Sequence, residues 1–384
     1  MAGVVKTVAE AGEFVPRTLF PVSSSITRSY FLGHHTAALS SMRKVLSNIG
    51  LILECRDSRV PITSMNPLLE SLLAGRDRII VYTKSDLCAP ATSTRWLSKQ
   101  QSLLAKWQTS LSSPGTGKTD VIFTDERNPR SITPLLALIK ERAAAQASLL
   151  GLRALVVGMP NSGKSTLLNA LRRIGMRRPG AARTGAQPGV TRKLSTPVRI
   201  VAASPSSNPY MEDLEGVGEG VFVVDTPGVF VPYVSDVESM LKLSLVGCVK
   251  DGLVPFETVA DYMLFLLNQR DPSVYADLSD PTNNINEFLD AVAVRTGKLL
   301  KGGLPAQEQA ADWVVHQWRR GHLGQFGLDD VSEEGLKARA RRLAMEQAEG
   351  GNTTLSMSQA RKRDKEARKI KNAAKRAAAF DSGS

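Results

Sequence analysis

Eight consecutive residues, Gly158-Met159-Pro160-Asn161-Ser162-Gly163-Lys164-Ser165, match Gly-x-x-x-x-Gly-Lys-Ser/Thr in full. Glycines at these positions let successive backbone N–H groups turn toward one point, and such a nest binds phosphate oxygens. A helix opening at Lys164 adds the positive end of its dipole. Asn161, Ser162, Gly163, Lys164, Ser165 and Thr166 are therefore expected to hold a nucleotide, with Lys164 reaching the β- and γ-phosphates and Ser165 ligating Mg²⁺. A second glycine-lysine cluster, Gly115-Thr116-Gly117-Lys118-Thr119, has Ser112 where the first glycine is required and no apolar strand before it, so it reads as a surface loop.

Three further clusters complete the chemistry. Asp225-Thr226-Pro227-Gly228 offers a carboxylate that can hold Mg²⁺ through a water and a Gly228 N–H that can sense the γ-phosphate. Thr191 lies between this cluster and the phosphate loop, where a hydroxyl ligand to Mg²⁺ is expected. Thr83-Lys84-Ser85-Asp86 fits Asn/Thr-Lys-x-Asp, in which the aspartate accepts from guanine N1–H and the exocyclic amine. A base that leaves such an acceptor unpaired is strongly rejected. Thr124-Asp125 stands where a further base-contacting loop is expected. Together these residues imply a GTP/GDP site with Mg²⁺.

The elements that must position them are legible as short apolar runs at residues 51–53, 79–82, 121–123, 154–157 and 221–224, most separated by helix-like stretches such as 94–110 and 134–146. Near-continuous apolar strands alternating with helices predict an α/β fold with a mostly parallel sheet. Ligands in such sheets sit at the carboxyl ends of the strands, where every cluster above falls. From residue 235 the strand patterns fade, and helical periods appear at 236–249, 257–268, 285–300 and 306–318. The expected organisation is an N-terminal arm over 1–30, a P-loop GTPase domain over 31–230, a small all-helical domain over 231–330 and a basic tail over 331–384, partly disordered or helical. The guanine cluster precedes the phosphate loop, the reverse of the Ras order, which makes the GTPase domain circularly permuted. The Gly228 switch then leads directly into the helical domain.

Composition bounds the partners. The 384 residues carry 49 Lys/Arg against 37 Asp/Glu, a net charge of +12, and 42% are hydrophobic. That excludes wholesale disorder and points to an anionic partner. Three separated cysteines, Cys55, Cys88 and Cys248, exclude a disulfide scaffold or a cysteine zinc site. No apolar run reaches the ~18 residues of a membrane span. Residues 172–211 hold eight Lys/Arg and no acid, and residues 361–376 hold nine Lys/Arg. Without interleaved aromatics, both stretches read as phosphate-backbone binders, or as solvated faces. Residues 1–30 read either as a mitochondrial presequence or as a plain disordered arm. A C-terminal lipidation signal, expected of a trafficking GTPase, is absent from the sequence as it stands.

The order of these clusters, together with Asp57-Ser58-Arg59-Val60-Pro61 leading to Asn66-Pro67 and with Gly321-His322-Leu323-Gly324, resembles the circularly permuted YlqF/RbgA-type ribosome-assembly GTPases over residues 29–330. The resemblance implies GTP hydrolysis at a late step of large-subunit assembly, with rRNA as partner. It places the chain in mitochondria, in the matrix and with peripheral contact to the inner membrane, as a monomer. Val229 occupies the position where Ras-type enzymes carry a water-orienting glutamine. The family looks instead to a histidine in an F-P-G-H-M segment, matched here by Phe31-Leu32-Gly33-His34-His35 with Leu32 and His35 departing from it. His34 is the candidate for the catalytic water and His35 its rival. Asn161 resembles the K⁺ ligand of potassium-stimulated relatives, and reads equally as a loop-stabilising side chain. The alternative function is an rRNA- or ribosome-binding scaffold that uses GTP only as a structural ligand.

Overall fold

Each of the five apolar runs forms a strand in the computed structural model, which describes residues 14–22, 26, 33–111, 117–125, 128–146, 150–182, 185, 194–204, 216–231, 234 and 236–348. In chain order the elements are α1 (Gly33–Val45), β1 (Leu51–Asp57), α2 (Pro67–Leu72), β2 (Arg78–Thr83), α3 (Thr94–Ser110), β3 (Thr119–Phe123), α4 (Pro129–Gln146), β4 (Leu152–Gly158), α5 (Lys164–Met176), β5 (Val198–Val201), β6 (Val221–Asp225), α6 (Val237–Leu245), α7 (Phe256–Arg270), α8 (Ile285–Thr296), α9 (Gln307–Arg319) and α10 (Glu333–Ala348). The sheet runs β3-β2-β1-β4-β6-β5. All pairings are parallel except β5 with β6. Strand β5 has no counterpart among the apolar runs because Arg199 interrupts it; the Arg199 guanidinium lies over the Phe222 ring, 4.8 Å from its centroid.

The sheet is buried on both faces, which is why its strands read as apolar runs rather than alternating ones. Leu53, Ile79, Val156 and Val223 pack with Ile132, Leu135 and Ile139 of α4 and Leu167, Leu168 and Leu171 of α5. On the opposite face Ile52, Leu155 and Val157 pack with Leu39 and Met42 of α1, Leu69 of α2, and Val229. Ile80 and Tyr82 pack with Leu104 and Trp107 of α3 and Leu336 of α10. Burying each such side chain contributes roughly 1.5–3 kcal/mol.

The chain forms two compact units. One comprises the sheet with residues up to Leu253 and the segment from Gln325; the other comprises Val254–Gly324 with the chain up to Ser23. The sheet unit thus extends past residue 230. Asn161 donates its side-chain amide to Gly247 O at 2.8 Å, which ties the end of α6 to the phosphate loop. Residues beyond 324 return to the sheet unit, where Leu328 N–H donates to Arg59 O at 2.7 Å. The basic run 361–376 lies outside the described residues.

In the helical unit, α7, α8 and α9 bury Met263, Phe288, Val292, Val314 and Trp318. Helix α8 stops at Thr296 rather than 300 because Gly297 takes the left-handed cap, φ 69°. Residues 14–22 belong to this unit. Arg17 pairs with Asp261 at 2.6 Å, and Phe20 packs edge-on against Tyr262 with centroids 5.3 Å apart. No helix among the described residues is long and apolar enough to cross a membrane.

Candidate nucleotide site

Four strands end at one place, and each delivers one sequence cluster there. Strand β4 ends in Gly158 at φ 144°, where a Cβ would stand 2.3 Å from Cys55 O; only glycine fits. Asn161 (φ 54°) and Gly163 (φ 83°) then turn the phosphate loop left-handed before α5 begins at Lys164. Alternation of this kind builds the N–H nest. Lys164 is buried, and its ammonium donates to Met159 O at 2.6 Å. Burial lowers its pKa against the pull of Asp225.

Strand β6 ends in Asp225, whose Oδ2 accepts from the Ser165 hydroxyl at 2.6 Å. Its Oδ1 is buried, with no hydrogen-bond partner among the described residues. Burial raises the Asp225 pKa, opposed by Ser165 and Lys164. A hydroxyl and a buried carboxylate, Ser165 and Asp225, form a hard, anionic oxygen donor set that fits Mg²⁺. Ser195 brackets Asp225: the Asp225 N–H donates to Ser195 Oγ at 2.8 Å, and the Ser195 N–H donates to Asp225 O at 3.0 Å. Thr191, four residues earlier, lies outside the described residues.

Gly228 passes so close to the phosphate loop that a Cβ would meet Pro160 Cα at 2.5 Å. Val229 follows, fully buried; its N–H donates to Gly158 O at 3.1 Å and its carbonyl accepts from Asn66 Nδ2 at 2.9 Å. Asn66 also caps α2, its Oδ1 accepting from Leu68 N–H at 3.0 Å.

The guanine cluster follows β2. Thr83 Oγ1 donates to Ser162 O at 2.9 Å and Lys84 Nζ to Asn161 O at 2.8 Å, so two consecutive residues hold two consecutive carbonyls of the phosphate loop. Lys84 itself is left-handed, φ 56°. Its ammonium also meets Asp57 Oδ2 at 2.8 Å, and the Arg59 guanidinium meets that carboxylate at 2.8 Å. Ser85 N–H donates to Thr124 O at 3.0 Å, bringing Thr124-Asp125 beside the guanine cluster. Asp86 follows in the short turn Ser85–Leu87. By contrast, Lys118 of the second glycine-lysine cluster leads into the amino end of β3, away from this site.

His34 is the second residue of α1; its side chain lies outside the described residues. Its rival His35 is only 1% exposed. Sequence reasoning gave no role to Asp57, Arg59 and Asn66 beyond their membership of a signature, and none to Asp329 or Gly247. A carboxylate and a guanidinium two residues apart at a strand end were the available signal for the first pair.

The model of the family described as 50S ribosome-binding GTPase matches residues 153–295, from β4 onward. The Mitochondrial GTPase 1 of Schizosaccharomyces japonicus is 36% identical over 331 residues, 83% of this chain and 94% of that protein. The Mitochondrial ribosome-associated GTPase 1 of Xenopus tropicalis is 31% identical over 319 residues, 78% of this chain and 94% of that protein. Among solved structures, GNP-bound YlqF from T. maritima matches 77% of this chain and 99% of its own at 22% identity, with a TM-score of 0.45. With the guanine cluster ahead of the phosphate loop on a mostly parallel sheet, the chain belongs to the mitochondrial GTPase 1 family of circularly permuted, GTP-hydrolysing enzymes.

Proposed function

We propose that this chain is a mitochondrial GTP switch that binds the large ribosomal subunit and assists its late assembly. The observation that carries this reading is Val229: buried, with both backbone groups bonded, it offers nothing to a water. A site whose Val229 cannot orient the water suits an enzyme that turns over only when a partner brings His34 to it. The printed names of the relatives, mitochondrial and ribosome-associated, support the choice of partner and compartment.

Within the chain, Asp86 accepts the guanine N–H groups, Thr124-Asp125 borders the base, and the N–H groups of 161–166 cradle the phosphates. Lys164 swings from Met159 O to the β- and γ-phosphates. Ser165 and Asp225 would hold Mg²⁺, with Thr191 as a further hydroxyl ligand. Bound Mg²⁺ supplies positive charge against the developing phosphoryl charge. Gly228 reports the γ-phosphate, and His34 positions the water. Asn161, whose amide nitrogen is committed to Gly247, turns its carbonyl oxygen to K⁺ in this reading.

Sedimentation with purified large subunits tests the partner. The protein co-sediments with a non-hydrolysable GTP analogue and is released with GDP. Equal pelleting in both states supports a scaffold instead, and no pelleting in either sinks the reading.

A further inference from the structure

We infer that Asp329 is a positioning residue for the switch, fastening the loop that holds Val229 to the chain re-entering from the helical unit. The Asp329 side chain is 4% exposed. Its Oδ2 accepts the N–H groups of Ile62 at 2.8 Å and Thr63 at 2.7 Å, and its Oδ1 accepts the Thr63 hydroxyl at 2.5 Å. Lys242 of α6 lies 3.6 Å from Oδ1. Leu328 N–H adds a bond to Arg59 O at 2.7 Å. Two adjacent residues thereby hold the middle of the loop that joins β1 to α2.

That loop is bonded at each end to a residue in or beside one of the nucleotide-motif clusters. At its start Asp57 holds Lys84 of the guanine cluster. At its finish Asn66 holds the Val229 carbonyl, one residue past Gly228. The carboxylate is also beside Lys242, on the first helix after the switch. Asp329 is thus linked twice to the chain after Gly228, through the loop that ends at Asn66 and through Lys242, so a shift of Gly228 is felt at this carboxylate. Asp329 stands five residues past Gly324, where the helical unit ends, so the covalent path from that unit runs through this clamp. A buried carboxylate with three hydrogen-bond donors and an ammonium is a high-stakes contact: losing its charge leaves those donors poorly served.

The proposal rests on the switch reading above, and hydrogen exchange on the full chain separates the two. Amides of 62, 63 and 328 in the wild type are expected to exchange about fivefold or more slowly with a GTP analogue than with GDP. Asp329→Asn is expected to erase that difference and lower the analogue-to-GDP affinity ratio by a similar factor, with GDP affinity within about twofold of wild type. Nucleotide-blind exchange in the wild type overturns the switch and this proposal together. A normal difference in Asp329→Asn, or equal loss of both nucleotides, overturns this proposal alone. Should Asp329→Asn not fold, Thr63→Val removes only the hydroxyl bond. A reduced nucleotide difference there upholds the clamp, and an unchanged one overturns it.

Discussion

The Lys84 ammonium donates to the main-chain carbonyl of Asn161 at 2.8 Å, so the guanine loop and the phosphate loop are held as one body although 77 residues separate them in sequence. Thr83 repeats the contact one residue earlier, through its hydroxyl to the Ser162 carbonyl. In the proposed reading, base recognition and phosphate recognition therefore share a support. Thr83→Val leaves the buried Ser162 carbonyl without that donor, a cost of about 1–3 kcal/mol. GDP and GTP affinities should fall together by about tenfold, read by titration with a fluorescent nucleotide. Loss of one nucleotide only would contradict a shared support.

Asp57 lies between two cations. Burial pushes its pKa up, but Arg59 and Lys84 outweigh burial and hold it well below the usual carboxylate range. A carboxyl whose folded pKa is depressed contributes stability above its unfolded pKa and loses it as pH falls toward the folded one. Asp57→Asn removes the buried carboxylate that both Arg59 and Lys84 meet and should cost about 3–5 kcal/mol at neutral pH. In denaturant unfolding, the gap between wild type and variant should hold from pH 7 to about 4 and narrow below that.

Asp225 shows the opposite balance: burial raises its pKa, and Oδ1 has no hydrogen-bond partner among the described residues. Such a group is kept for a ligand at the expense of stability. Asp225→Asn should raise the stability of the nucleotide-free protein by about 1 kcal/mol. It should also weaken Mg²⁺-dependent nucleotide binding by about tenfold, or roughly 1.4 kcal/mol. Thermal melting in chelator and titration with and without Mg²⁺ check the two halves separately.

Val229 packs with Ile52, Leu155 and Val157 rather than facing the phosphates. Restoring glutamine there should not restore a Ras-like water. Val229→Gln buries an amide and should cost about 1–3 kcal/mol of stability with no gain in intrinsic turnover. A faster intrinsic rate in a phosphate-release assay would show that this position does reach the water.

His34→Ala should lower subunit-stimulated turnover by about 10²–10⁴ while leaving GTP affinity unchanged. Buried His35 should not substitute for it. Unchanged stimulated turnover would remove His34 from the reaction.

How legible the protein is from its sequence differs by element. Strands β2, β4 and β6 announce themselves because both faces of the sheet are covered, and the clusters at their carboxyl ends follow from the fold rule. Strand β1 is only half legible. Its apolar start is plain, but Glu54, Arg56 and Asp57 read as exposed. They are buried because Arg56 bonds Glu54 and Glu70 at 2.6 Å and Arg78 bonds Glu70 at 2.6 Å. Glu54 lies on β1 beside Arg56, but Glu70 lies on α2 and Arg78 on β2, and no local pattern pairs those with β1. The boundary at residue 230 follows the loss of strand periodicity. The unit boundary at Leu253 follows long-range bonds, Asn161 to Gly247 among them, which periodicity does not carry. Likewise residues 14–22 look like an arm until Arg17 and Phe20 meet α7.

The most direct test of the central claim is single-turnover phosphate release from the full chain with and without purified large ribosomal subunits. Stimulation of about 10²-fold or more, with GTP affinity little changed, is the result expected of a switch in which Val229 cannot orient the water and the subunit brings His34 to it. Equal rates with and without subunits would contradict it.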